Sequence, residues 1–204
     1  MEPYLYVGNN PIMFTDPTGM NHHDYGVNKE TGEINLIRET NDKFDRIMET
    51  DEDGNIKTYG TGFLIPKAKK GQEKIAVDNI AKGILKDCMN FEIKDINIKV
   101  NREGEPTLKE FDNFISKFSD FVKKEIAGVR LGNLLNNSEV TSVQTFRYLY
   151  NTRDKSSIPE RWMTDYGLRL KGHFHTHPFN DHVPSTEDIA LKNRFKDVPF
   201  FYNF

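Results

Sequence analysis

One cysteine, Cys88, serves the whole 204-residue chain. An internal disulfide is therefore excluded, and so is a thiolate-rich zinc knot; a metal bound here would take imidazole and carboxylate ligands. Long apolar runs are missing too. Segments such as "DVPFFYNF" and "TGFLIP" fall far short of the roughly 20 residues a membrane-crossing helix needs. The opening "MEPYLYVGNN" lacks the basic-then-apolar order of a signal peptide. Charge of either sign is not in excess: the formal net charge is -3, which offers no basic face for phosphates. Neither a membrane nor a nucleic acid is expected as a partner. What the chain does have is 36% apolar residues, enough for one buried core and a small appended module.

Residues 1–20 are dense in turn formers, with Asn9, Asn10, Pro11, Asp16, Pro17 and Gly19 breaking up an aromatic stretch. Residues 21–65 alternate apolar and polar positions around Thr31-Gly32 and Asp53-Gly54, which predicts a small β-meander. His22 and His23 fall in it as neighbours and are expected as solvated loop residues. Residues 66–105 read as a linker and a helix. Pro66 to Lys74 is a basic, solvated connector, and Ile75, Ile80, Ile84 and Leu85 recur near helical period, with Gly83 as a weak point.

Residues 106–204 form the segment where chemistry is expected. Thr107 as N-cap, Glu110 three residues on, and Leu108, Phe111, Phe114, Ile115, Phe118, Phe121 and Val122 at spacings of three and four predict an amphipathic helix lying against a sheet. Strand patterns follow in "IAGVRLGNLL", "EVTSVQTFRYLY", "GLRLKGHFH" and the closing "VPFFYNF", and "STEDIALKNRF" reads as a second helix. The expected class is α/β (α+β), a mixed sheet packed against helices and preceded by a small β-rich segment.

The densest cluster of chemistry is "GHFHTHPFNDHVPSTED", Gly172 to Asp188. On a strand, residues two apart face the same way, so His175 and His177 can address one ion. Ser185 and Asp188 stand one helical turn apart at the start of the second helix, and Asp188 could supply a third ligand. Two imidazoles, a carboxylate and an open fourth position suit a catalytic zinc, whereas a structural zinc closes all four. Each piece has a plainer reading: Ser185 with Asp188 fits a helix cap, and alternate histidines near a strand end fit a hydrogen-bonded structural pair.

Two resemblances bear on the choice. "YLYVGNNPIMFTDPTG" resembles the end of the Rhs repeat-associated core of bacterial polymorphic toxins, after which a variable toxic domain begins; this implies that Met1 lies inside a longer gene. "EIAGVRLG" followed by "HTHPFNDHVPSTED" resembles the JAMM motif of JAB/MPN metalloproteases, with Glu125, Gly128, Gly132, His175, His177, Pro178, Pro184, Ser185 and Asp188 at its fixed positions. The resemblance implies Zn2+ on His175, His177 and Asp188, Glu125 as general acid and base, and Ser185 hydrogen-bonding the developing oxyanion. The implied reaction is hydrolysis of a peptide or isopeptide bond.

His173 has no ligand role in that scheme and is expected in the wall of the site, with His182 facing solvent. The similar region, 106–204, is shorter than a full JAB/MPN domain, and its "VRL" is unlike the eukaryotic deubiquitinating members. With the Rhs-like start, it resembles the JAB-type toxin domains at the ends of Rhs proteins. That implies a secreted effector acting in the cytoplasm of a recipient cell, with a protein or peptide substrate and a cognate immunity protein as partners. A catalytically silent MPN-type scaffold and a histidine-triad nucleotide hydrolase are the alternatives; the triad enzyme would need no metal and leaves Glu125, Ser185 and Asp188 unexplained.

Overall fold

A computed structural model describes residues 22–27, 29, 34–60, 62–85, 96–134, 139–145, 164–178 and 186–203. The fold is mixed α+β, with two sheets and few helices. The Rhs-like stretch 1–19, the Thr31-Gly32 turn, Cys88, His182, Pro184 and Ser185 lie outside the described residues.

The first sheet contains β1 (His22–Val27), β2 (Ile34–Thr40), β3 (Asp45–Glu49) and β4 (Ile75–Ile80), in the order β2-β1-β3-β4. It is not a meander. After pairing antiparallel with β1, β2 hands the chain to β3, which crosses to the opposite edge of β1 and pairs with it in parallel. Burial explains the choice: β2 is largely exposed and suits an edge, whereas Ile47 and Met48 of β3 are buried and require neighbours on both sides. The buried Asp24 carboxylate ties the three strands together, accepting from Arg38 Nε at 2.5 Å and Arg46 Nε at 2.8 Å.

His22 and His23 accordingly sit on a strand and not in a solvated loop. His23 is part-buried and donates its backbone N–H to Asp45 at 3.0 Å. The Asp53-Gly54 turn does form: Gly54 takes φ +83°, and the Asp51 carboxylate accepts the backbone N–H groups of Asp53 and Asn55.

The helical spacing read over 73–88 is overturned by β4. Ile75 to Ile80 is a strand paired with β3, and residues 82–85 form a turn. Ile80 is the strand's last residue while Ile84 and Leu85 belong to the turn beyond it, so their spacing of four and five mimics a helix without being one. Positive φ at Asn79 and Gly83 breaks any helical path there.

The second sheet holds β5 (Ile96–Lys99), β6 (Ala127–Gly132), β7 (Val140–Thr145), β8 (Leu170–Thr176) and β9 (Phe200–Asn203), ordered β5-β7-β6-β8-β9. The β8–β9 pair is parallel and the others antiparallel, so the sheet is mixed. Between β5 and β6 runs α1 (Leu108–Val122). Its N-terminus is closed by a capping box in which Thr107 and Glu110 exchange side-chain-to-backbone hydrogen bonds. The phenylalanine face of α1 packs against β4 of one sheet and β8 and β9 of the other.

One continuous core results, running from Tyr25 and Ile47 through Phe111 and Phe118 to Val143 and Phe174. The far face of the second sheet carries a smaller cluster of Ala127, Val129 and Leu131, against which Tyr166 and Leu170 pack. Gly132, at the end of β6, answers a close approach: a Cβ there would lie 2.2 Å from the Glu139 backbone oxygen and 2.6 Å from the Lys171 side chain. The second helix, α2 (Thr186–Arg194), follows β8. Among the described residues no helix is long and apolar enough to cross a membrane.

Candidate functional site

The end of α1 sets the site. Lys123 turns into the left-handed region, φ 58°, and its N–H caps the Ser119 carbonyl, so the helix stops and the chain enters β6 within a few residues. Antiparallel register then pairs Ala127 with His175 and Val129 with His173. Continuing that pairing past the end of the strand by the two-residue period brings Glu125 opposite His177.

Side-chain positions agree with the register. Glu125 Oε1 stands 4.0 Å from His177 Nδ1, and the two side chains are 13% and 6% exposed. His175 and His177 turn their Nε2 atoms towards each other at 2.6 Å, with ring centroids 4.6 Å apart. Two ring nitrogens at that separation repel through their lone pairs unless a proton or a cation lies between them. Ligand nitrogens on a tetrahedral zinc stand about 3.3 Å apart, so the rings need open by less than an ångström to share an ion. The pair fits a metal in donor type, direction and burial.

The other expected donors are placed less completely. Asp188 is the third residue of α2, and its side chain lies outside the described residues, as does the whole of Ser185. Among the described residues no three His, Cys, Asp or Glu side chains gather as a metal-binding group. His173 is fully buried on β8, where its strand neighbours are Val129 and Phe200.

Two residues that the motif does not single out hold Glu125 in place. Ile126 N–H donates to Thr176 Oγ1 at 2.9 Å, the Thr176 hydroxyl donates to Ser119 Oγ at 2.6 Å, and Ser119 Oγ–H donates to the Lys124 carbonyl at 2.6 Å. Thr176 N–H closes the ring by donating to the Ile126 carbonyl at 3.0 Å. The chain of bonds grips the residues on both sides of Glu125 and anchors them to Thr176, the residue between the two histidines. Its signal was in the sequence: Ser119 is a polar residue at a position of α1 where the helical spacing calls for an apolar one.

Thr176→Val keeps the shape but removes both hydroxyl bonds in a buried place, and should cost about 2 kcal/mol. Thr176→Ser, retaining the hydroxyl, should lose less than half of that. Urea unfolding of the three proteins checks the ranking, and equal losses for Val and Ser would show that the methyl group matters and the hydroxyl does not.

Behind the site, Arg130 of β6 reaches across to α1 and donates from one nitrogen to both Asp112 oxygens, each at 3.0 Å. Burial depresses the Arg130 pKa, and the Asp112 carboxylate works against that by favouring the charged guanidinium. The pair fixes α1 against the strand that carries Glu125 into position.

Comparison of the chain with protein-family models, with curated proteins and with solved structures finds no match in any of the three.

Proposed function

We propose that the chain is a zinc-dependent hydrolase of peptide or isopeptide bonds with a JAB/MPN-like fold, acting as the toxic effector domain of an Rhs-type protein. The observation that carries this reading is the convergence of the His175 and His177 Nε2 atoms at the mouth of β8, with the Glu125 carboxylate beside them. Further support comes from the sheet around them. Glu125 stands two residues ahead of the glycine-marked strand β6, which lies next to the strand that leads into H-x-H, and a helix containing Asp188 follows.

In this reading His175, His177 and Asp188 hold the metal. Bound zinc supplies a Lewis acid that activates water and polarises the scissile carbonyl. Glu125 takes the proton released as water's oxygen bonds to the carbonyl carbon, and returns it to the amine nitrogen as the C–N bond breaks. Ser185 donates a hydrogen bond to the oxygen on which negative charge develops. The shallow burial of Glu125 leaves its carboxylate partly desolvated yet reachable, as a proton carrier needs.

Metal analysis of the purified chain tests the first half of the proposal. One zinc per chain is expected at neutral pH, and His175→Ala should weaken binding at least a hundredfold. Protons compete with the metal for the imidazoles, so zinc should leave as pH falls and be gone by about pH 4.5. Stoichiometric zinc retained at that pH would refute the histidine ligands. Mass-spectrometric profiling of new protein N-termini and of lysine ε-amines freed from isopeptide links in a bacterial lysate tests the second half. Cleavage by the wild type is expected, and a zinc-loaded chain that generates none would favour the scaffold reading.

A further inference from the structure

The segment between β3 and β4 carries a feature that the candidate site does not use. Its base is closed by backbone bonds from Tyr59 N–H to the Gln72 carbonyl at 2.8 Å and from Gly71 N–H to the Tyr59 carbonyl at 3.0 Å. At its tip, Ile65 N–H donates to the Gly62 carbonyl at 3.1 Å, which makes Phe63 and Leu64 the two central residues of a tight turn. Such positions usually go to Gly, Asn, Asp or Pro. Here they hold two large apolar side chains that are 103% and 93% exposed, the most exposed of the large hydrophobics among the described residues.

Charge is distributed unevenly around that tip. From Lys57 to Lys74, both included, stand five lysines and a single acid, Glu73, in a chain whose net charge is -3. Glu73 is committed to Arg38 by two bonds, at 2.6 and 3.0 Å. Lys57 and Lys74, at the base, both face Glu49. The three nearer the tip, Lys67, Lys69 and Lys70, are exposed, and among the described residues none is paired with a carboxylate. Lys69 instead lies 5.5 Å over the Tyr59 ring.

We infer that this loop docks the protein on an anionic lipid surface, with Phe63 and Leu64 entering the hydrocarbon edge and Lys67, Lys69 and Lys70 meeting the headgroups. A convex apolar tip has no groove in which to grip a peptide, whereas an aromatic and an aliphatic side chain beside cations match the layered polarity of a bilayer interface. Among the described residues no helix is long and apolar enough to cross a membrane; peripheral contact does not require one. This inference is independent of the zinc chemistry, since the loop belongs to the first sheet and the histidines to the second.

Co-sedimentation with vesicles tests it. The full chain should pellet with phosphatidylcholine–phosphatidylglycerol vesicles at low salt and stay in solution with phosphatidylcholine alone. A lysine near an anionic surface contributes about fivefold to partitioning, so replacing Lys67, Lys69 and Lys70 with Gln should weaken binding by about a hundredfold. Phe63→Ser with Leu64→Ser should weaken it at least tenfold. Both variants change only exposed side chains and should melt at the wild-type temperature, which separates lost docking from lost folding. Wild type that ignores both vesicle types, or a serine variant that pellets equally well, overturns the inference. Dimerisation of the wild type without vesicles, abolished by the serine pair, would overturn it in favour of a second copy of the chain.

Discussion

Replacing Glu125 with Gln should leave zinc bound and abolish cleavage. Gln keeps the shape and the hydrogen-bonding reach of Glu but cannot accept a proton, and general acid–base catalysis by one positioned group is worth roughly 10²–10⁴-fold. The loss should fall on kcat, because Glu125 is proposed to carry protons and not to grip the substrate. Zinc content should change little, since the carboxylate faces His177 Nδ1 and the ring nitrogens that converge are the two Nε2 atoms. Terminus profiling with the zinc-loaded variant reads the outcome directly: undiminished cleavage would remove Glu125 from the mechanism, and loss of zinc along with cleavage would make it a ligand. Expression in a bacterial host supplies a second measurement, with growth arrest expected from the wild type and none from Glu125→Gln.

The largest loss of stability is expected from Asp112→Ala. The Arg130 side chain is only 7% exposed, and its guanidinium faces both Asp112 oxygens. Taking away the counter-charge leaves a cation in a place that already disfavours charge, and breaking such a pair costs about 3 kcal/mol. For a chain of this size each kcal/mol lowers the melting temperature by about 3 °C, so a fall of about 9 °C is expected. Asp112→Ala with Arg130→Met should recover much of it, because an apolar side chain of similar length needs no partner. A double variant no more stable than Asp112→Ala alone would show that packing around Asp112, and not the ion pair, was lost.

Local signals in the sequence carried well into the structure. The Thr107–Glu110 cap, the phenylalanine face of α1 and the Asp53-Gly54 turn each depend on contacts within a few residues, and each is where the spacing placed it. The error at Ile75–Ile80 has a physical source. A short apolar run satisfies either period, and only the presence of β3 beside it decides for a strand. The parallel contact of β1 with β3 was equally illegible, because the expected antiparallel meander and the observed crossing have the same turn residues.

At the candidate site, the alternate spacing of the histidines implied that they share a face, and Glu125 was singled out only through a resemblance of spacing to a known motif. What the sequence could not supply was the register that brings Ala127 opposite His175, nor the Ser119–Thr176 bond between residues 57 apart. Those depend on how two distant strands and a helix come together.

The position of α1 between the two sheets has a consequence for how the protein can be divided. The helix is shared, with contacts to β4 of one sheet and to β8 and β9 of the other. A piece trimmed to residues after 105 would present that helix to water on the flank where β4 had been. The N-terminal strands are therefore a folding partner of the histidine-bearing half, and the chain should be made and melted as one cooperative body.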